Sequence, residues 1–261
     1  MPIGLIIIGD EILSGKRVDQ HFPKVVQLLA ARGLQLGWAE FLGDDRERIT
    51  ATLQRTFASG DIVFSCGGIG ATPDDHTRQA AAAALGLPLL MHEGAKESIQ
   101  QRVRQIAAEK GEAPDLTSAE HLQRLQMAEF PQGAALIPNP YNGVAGFAYG
   151  THYFVPGFPV MAWPMIEWVL DTHYADLFNR EPRAEQSVLV YEAAEAALTP
   201  LMLALEAAWP RIKVFSLPSV GDANTRRHIE LGVKGDPAQC EAAFAHMCRE
   251  LDALNVEYVK P

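Results

Sequence analysis

Hydrophobic and polar positions divide the chain into short apolar runs alternating with amphipathic stretches. Pro2 to Ile8 is continuously apolar and breaks at Gly9-Asp10, the pattern of a strand buried on both faces of a parallel sheet. From Phe22 the apolar residues fall at Val25, Val26 and Leu29, one helical face, with Pro23 in the first turn and Gly33 where a C-terminal cap belongs. "LQLGWAEFLG" predicts a second strand. "DDRERITATLQRTFASG" predicts a second helix, with Asp44 and Glu47 spaced as a capping box and Ile49, Leu53 and Phe57 on one face. "DIVFSC" is a third strand, and three strands joined by two helices in so short a span predict a parallel α/β sheet.

A helix follows from about Pro73 to Leu85, and the region from His92 to Pro131 reads as two helices with mostly polar faces, an arm or an oligomer contact. Strand character returns at "AALIPNPYNG" and "GFAYGTHYFVPGF", the latter as a hairpin about Gly150-Thr151. A helix from Pro159 to Leu177, started or kinked by Pro164, closes a domain over residues 1–178. Polar "NREPRAEQ", Asn179 to Gln186, reads as a linker. Beyond it the order is "SVLVYEA", a helix from Thr199 to Trp209, "IKVFSL", "TRRHIELGV", a helix from Pro237 to Leu254 and "VEYVK". That β-α-β-β-α-β order predicts a smaller ferredoxin-like α+β domain over residues 187–261.

Composition changes this picture little: 48% hydrophobic and 21% charged residues suit an ordinary folded chain of 261 residues. A net charge of −10 argues against a nucleic-acid partner, and no apolar run is long enough for a membrane helix, so no membrane partner and a cytoplasmic location are expected. Cys66, Cys240 and Cys248 read as reduced thiols, not as a disulfide framework or a metal-ligand set.

The chemistry concentrates in three turns. "GGIGATPDDHT", Gly67 to Thr77, lies at a strand's carboxyl end, where Gly67, Gly68 and Gly70 can turn backbone N–H groups toward an oxyanion. Thr72 as N-cap, Pro73 at the first helical position and Asp75 three residues after the cap predict a helix start there. Neither a P-loop nor a dinucleotide fingerprint is completed, and no lysine is present to neutralise phosphate. Mg²⁺ would reconcile phosphate with Asp74 and Asp75, because it takes one or two carboxylates plus phosphate oxygens and water. "GDEILSG" puts Asp10 and Glu11 on the same sheet edge if the first and third strands are neighbours. "IPNPYNGVAGF" adds Asn139, Pro140 and Gly146 as ligand contacts, or is simply an ordered loop.

The remaining candidates have plainer readings. Cys66 is expected to be a buried structural thiol and His21 solvated; Arg46, Arg48 and Arg78 could neutralise phosphate but are expected on solvent-facing helix surfaces, while His76 is a secondary general-base candidate. Trp163, Trp168 and Trp209 are expected in cores or interfaces.

Together the three motifs resemble the molybdopterin-binding (MoaB/Mog-like) family, and more closely the amino-terminal domain of competence/damage-inducible CinA proteins and the related domain of eukaryotic FAD synthases, over about residues 3 to 175. The resemblance implies a three-layer α/β/α, mostly parallel sheet whose pocket takes a phosphate-bearing pterin or nucleotide, molybdopterin-like or of the ADP-ribose or FAD type. It also implies homo-oligomers and Mg²⁺-dependent pyrophosphate hydrolysis. By that resemblance the catalytic candidates are Asp75, Asp74 and Glu11, the metal candidates Asp75 and Asp10, and the ligand contacts Gly67, Gly68, Gly70, Thr72, Thr77, Asn139, Pro140 and Gly146. The chain departs from the family pattern at Ile69, where threonine is usual, at Asn142 and Ala145, and at Phe158 in "PGFP". Those departures favour the alternative of a non-catalytic ligand-binding or scaffold protein.

Overall fold

The first apolar run forms β1 (Ile3–Ile8), all six residues buried. Its odd-numbered side chains Ile3, Leu5 and Ile7 enter one core and Ile6 and Ile8 another, as the two-residue period of a strand requires. The chain then makes a single helical turn, α1 (Asp10–Leu13), followed by α2 (His21–Ala30). Gly33 ends this helix at φ 68°, with Leu34 N–H donating to the Leu29 carbonyl at 2.8 Å. β2 (Trp38–Leu42) and α3 (Arg46–Phe57) come next, and the helix cap is Asp45, which accepts from Arg48 N–H; the predicted Asp44–Glu47 box does not form. β3 (Ile62–Cys66) is fully buried. α4 (Thr77–Leu85) begins at Thr77, four residues later than the sequence predicts.

β4 (Leu89–Met91), α5 (Glu93–Lys110), α6 (Ala119–Leu125) and β5 (Glu129–Pro131) make an excursion in which β4 and β5 pair antiparallel, a small sheet not foreseen from the sequence. β6 (Ala135–Ile137), β7 (Gly146–Tyr149) and β8 (His152–Val155) follow, with the hairpin turning at Gly150 (φ 58°) as expected. α7 (Pro159–His173) contains Pro164 and stops short of Leu177, the residues Ala175–Leu177 forming a separate 3₁₀ turn.

The main sheet runs β2-β1-β3-β8-β7-β6. β2, β1, β3 and β8 are parallel, and β7 pairs antiparallel with both β8 and β6, so that β7 alone runs against the other five. Val25, Leu28 and Leu29 of α2 and Ala162, Met165 and Ile166 of α7 cover one face. The other face is covered by Ile49 and Leu53 of α3, Ala80 and Ala81 of α4 and Ile99 of α5, giving the predicted three layers. Phe130, Phe147 and Phe154 stack at centroid separations of 4.8 and 4.3 Å beneath the second layer. β1 and β3 are neighbours, so the turns after both emerge on one carboxyl edge.

This computed structural model describes residues 1–179, 184–222 and 225–260. The chain divides into Met1–Phe178 and Asn179–Pro261, and residues 180–183 of the predicted linker lie outside the described residues. The second unit contains β9 (Ala184–Tyr191), α8 (Glu195–Ala208), β10 (Ile212–Ser219), β11 (His228–Gly235), α9 (Pro237–Ala253) and β12 (Tyr258–Val259). Its antiparallel sheet runs β10-β11-β9-β12, the ferredoxin-like arrangement. Its core gathers Val188, Leu205, Leu231, Val233 and Met247, with Trp209 packed alongside. Among the described residues no helix is long and apolar enough to cross a membrane.

Candidate functional site

Each glycine of the turn after β3 is required for a different reason. Gly67 has φ 111°, and a Cβ there would lie 2.3 Å from the Ile8 carbonyl oxygen. Gly68 has φ 68°, and its Cβ would meet Thr77 Oγ1 at 2.2 Å; at Gly70 it would meet Asp75 Oδ2 at 2.5 Å. Thr77 is fully buried. Its N–H donates to the Gly68 carbonyl and its hydroxyl to the Gly67 carbonyl, both at 2.9 Å. The predicted ligand contact at Thr77 is therefore a brace that shapes the turn.

Thr72 does not cap α4, contrary to the predicted helix start. Its N–H and hydroxyl donate to Asp75 Oδ2 at 2.9 and 2.5 Å, and Asp75 N–H returns to the Thr72 carbonyl at 3.0 Å. A closed turn thus precedes the helix, and α4 cannot begin until Thr77, whose N–H is already committed to Gly68. Asp74 stands exposed on this turn. His76 is the N-cap residue of α4 and makes no side-chain cap bond.

Arg78 corrects a further expectation. Instead of facing solvent it is buried beneath the turn, donating from Nη2 to the Gly70 carbonyl at 2.6 Å and from Nη1 to the Gln126 carbonyl. Burial pulls its pKa down, against the opposing charges of Glu129 and Asp75. The loop therefore has a fixed cation below it. Gln123 of α6 also donates to the Ala71 carbonyl at 2.6 Å, so the polar helical excursion helps hold the glycine turn. Arg46 and Arg48 are exposed, as expected.

At the first acidic turn Asp10 and Glu11 part company. Asp10 N–H donates to Asp44 Oδ2 at 2.9 Å and Asp44 N–H to Asp10 Oδ1 at 3.2 Å, in space that a Cβ on Gly43 would fill. Burial raises the Asp44 pKa, and the charges of Asp10, Glu11 and Asp74 raise it further. Asp44 thereby joins the acidic edge, a residue that sequence reasoning assigned only to a helix cap.

A cavity of about 460 Å³ opens at the carboxyl ends of β1, β3 and β8. It brings together Glu11, Gly68, Gly70, Thr72, Asp74, Asp75 and Asn139 from the three predicted motifs, together with Arg17. Asp10, Gly67, Thr77, Pro140 and Gly146 do not line it. Gly146 is a packing residue in β7, where a Cβ would strike the Phe154 carbonyl oxygen at 2.4 Å, and Pro140 is exposed. Asn139 is buried and organises its own loop, accepting from Tyr141 N–H at 3.0 Å and donating to Asn142 Oδ1 and the Val144 carbonyl at 2.9 and 3.0 Å. Among the described residues no group of three or more His, Cys, Asp or Glu is arranged to hold a metal ion.

A second cavity of about 330 Å³ shares Glu11, Arg17 and Gly157 with the first and reaches His21 and Cys66. His21 is buried, with Nε2 against the Gly157 carbonyl at 3.0 Å, and is not solvated as expected. Cys66 is buried and its thiol pKa is pushed far up by burial, so it is the structural thiol that the sequence predicts.

Residues 4–175 match the family model described as a probable molybdopterin binding domain. A CinA-like protein of Anaeromyxobacter sp. (strain K) is 32% identical over 257 residues, covering 90% of this chain and 60% of the relative. A CinA-like protein of Anaeromyxobacter sp. (strain Fw109-5) is 31% identical over 277 residues, covering 98% of this chain and 64% of the relative. The chain thus spans less than two thirds of the length of these relatives. Among solved structures, the protein CinA of unknown function from Thermoplasma acidophilum superposes with a TM-score of 0.54 at 26% identity, covering 66% of this chain and 98% of that one.

Proposed function

The chain belongs to the probable molybdopterin binding domain family, and from that premise we propose that its carboxyl-edge cavity binds a phosphate-bearing pterin or nucleotide with the help of Mg²⁺. The observation that carries this reading is the meeting of the glycine turn with Glu11, Asp74, Asp75 and Arg17 around one cavity of about 460 Å³, a volume in the range of small-molecule sites. Gly68 and Gly70 line the cavity with backbone, and Arg17 and the buried Arg78 supply positive charge.

The donor chemistry suits a hard cation. Glu11 and Asp74, which both line the cavity, would hold it, and the upward pressure on Asp44 from Asp10, Glu11 and Asp74 is a local excess of negative charge that a cation would relieve. When bound, the ion would offset charge on the phosphate oxygens. Asp10, paired with Asp44, is not among its ligands in this reading.

The proposal extends to hydrolysis of a pyrophosphate bond, with Glu11 or Asp74 positioning the attacking water. One observation favours binding without turnover: Asp75, the acid implied by the family resemblance, is hydrogen-bonded by both the N–H and the hydroxyl of Thr72, a geometry that holds the loop. A thermal-shift panel of ADP-ribose, FAD, ATP and molybdopterin, each with and without Mg²⁺ and paired with a phosphate-release assay, separates the two. Mg²⁺-dependent stabilisation with release supports hydrolysis, stabilisation alone supports binding, and no shift with any ligand removes the reading.

A further inference from the structure

We propose that Phe158 is the platform on which the planar heterocycle of the ligand stacks, so that ring recognition is separated from phosphate recognition within the one cavity. The inference rests on the phosphate-binding reading above. The cavity has a mixed lining. The glycine turn and the carboxylates supply the polar part, while Phe158, Met161, Met127 and Val144 contribute apolar surface. A ligand matching both carries a charged group at one end and a flat apolar ring at the other.

Phe158 is not explained by the fold. It is the N-cap residue of the fifteen-residue helix α7, where Ser, Thr, Asp or Asn would satisfy a free N–H, and it makes no side-chain cap bond. Its side chain is also not used for packing: the residue is 58% exposed, and among the described residues no ring packs against it. The position therefore forgoes a cap and exposes an apolar ring at the mouth of a polar site. A ring placed there has a face to offer a ligand, and stacking tolerates any planar base because each has a π-face.

The backbone holds this platform still. The Phe158 carbonyl accepts from Met161 N–H at 3.0 Å and Ala162 N–H at 2.9 Å, and the preceding Gly157 carbonyl is bonded to His21 Nε2. Gly157 in turn lies close to the glycine turn, since a Cβ on it would come within 3.4 Å of the Gly67 Cα. Ring platform and phosphate turn are thus fixed relative to one another through a short path of packed backbone, the preorganisation a two-ended ligand requires.

The test is isothermal titration calorimetry of the full chain with inorganic pyrophosphate, ADP and FMN, each with Mg²⁺, on the wild type and on F158A, F158L and F158W. ADP and FMN distinguish a purine from a flavin ring. The expected result is that F158A weakens the ring-bearing probe by about 5- to 150-fold, the range for loss of an aromatic stacking partner. F158L loses most of the same affinity, F158W keeps it, and pyrophosphate binds all four proteins equally. Undiminished ADP and FMN binding to F158A and F158L overturns the proposal, as does an equal loss for pyrophosphate, which would mean a local structural role. A wild type that binds pyrophosphate but gains nothing from either ring also overturns it while leaving the phosphate reading standing. A wild type that binds none of the three removes both.

Discussion

Replacing Arg78 with Met tests the claim that a buried cation holds the glycine turn. Methionine keeps much of the side chain's length and apolar body but removes the charge and the guanidinium hydrogen bonds, the two short ones to the Gly70 carbonyl at 2.6 Å and the Gln126 carbonyl and a long one to the Glu129 carbonyl at 3.5 Å. A hydrogen bond from a charged donor contributes about 1.5–3 kcal/mol net, so the two short ones together set a scale of about 3–6 kcal/mol. Against this, the variant no longer buries a charge whose Nε has no partner, which offsets part of the loss. The balance is a destabilisation of about 3 kcal/mol. Arg78→Lys, a point charge able to reach one carbonyl, should recover less than half of it. The assay is guanidinium chloride unfolding followed by tryptophan fluorescence in a Trp209→Phe background, which leaves Trp38, Trp163 and Trp168 to report on Met1–Phe178 alone. A midpoint shift corresponding to less than about 0.5 kcal/mol at constant m would refute the reasoning.

Further expectations follow from neighbouring contacts. Thr77→Val removes the hydroxyl bond to the Gly67 carbonyl at nearly constant volume and should destabilise by about 1–3 kcal/mol, whereas Thr77→Ser should cost less, both read from the same unfolding curves. His152 is buried beside Thr56 and its pKa is pulled down by burial to about 4 from an ordinary 6.5. The folded state therefore binds this proton more weakly than the unfolded chain. Its stability is complete above about pH 6.5 and falls as pH drops toward 4, by about 3 kcal/mol; His152→Gln should flatten that part of the stability–pH curve relative to wild type. Asp44→Asn relieves repulsion from Asp10, Glu11 and Asp74 while keeping an acceptor for Asp10 N–H. It should raise the melting temperature in metal-free buffer and shrink the stabilisation given by Mg²⁺; an unchanged Mg²⁺ response would count against a cation at this edge.

The sheet was legible because its signals are local. A run such as Pro2 to Ile8 can be buried on both faces only in a covered sheet, and a hairpin at Gly150 needs only its own turn. The site was legible as three motifs but not as a geometry. Thr72-Pro73-Asp74-Asp75 carries every sign of a helix start, yet the same Thr72 and Asp75 groups close a separate turn because Thr77 is drawn back to Gly67 and Gly68. Asp44 was misassigned because its partner Asp10 lies 34 residues away, beyond the reach of any spacing rule. Arg78 sits beside a run of alanines, where a charged residue ordinarily marks the exposed side. The carbonyls of Gly70, Gln126 and Glu129, 8 residues before it and 48 and 51 after, account for its burial. Periodicity assigns a face but not the polar partners waiting on it.

The central claim is that the turn after β3 and the acidic edge beside it hold a phosphate through a divalent cation. The most direct measurement is a crystal structure with ADP-ribose and Mn²⁺ in place of Mg²⁺. The account predicts a pyrophosphate against Gly68 to Thr72 and an anomalous peak next to Glu11 and Asp74. A ligand bound elsewhere, or an empty cavity at saturating concentration, would contradict it.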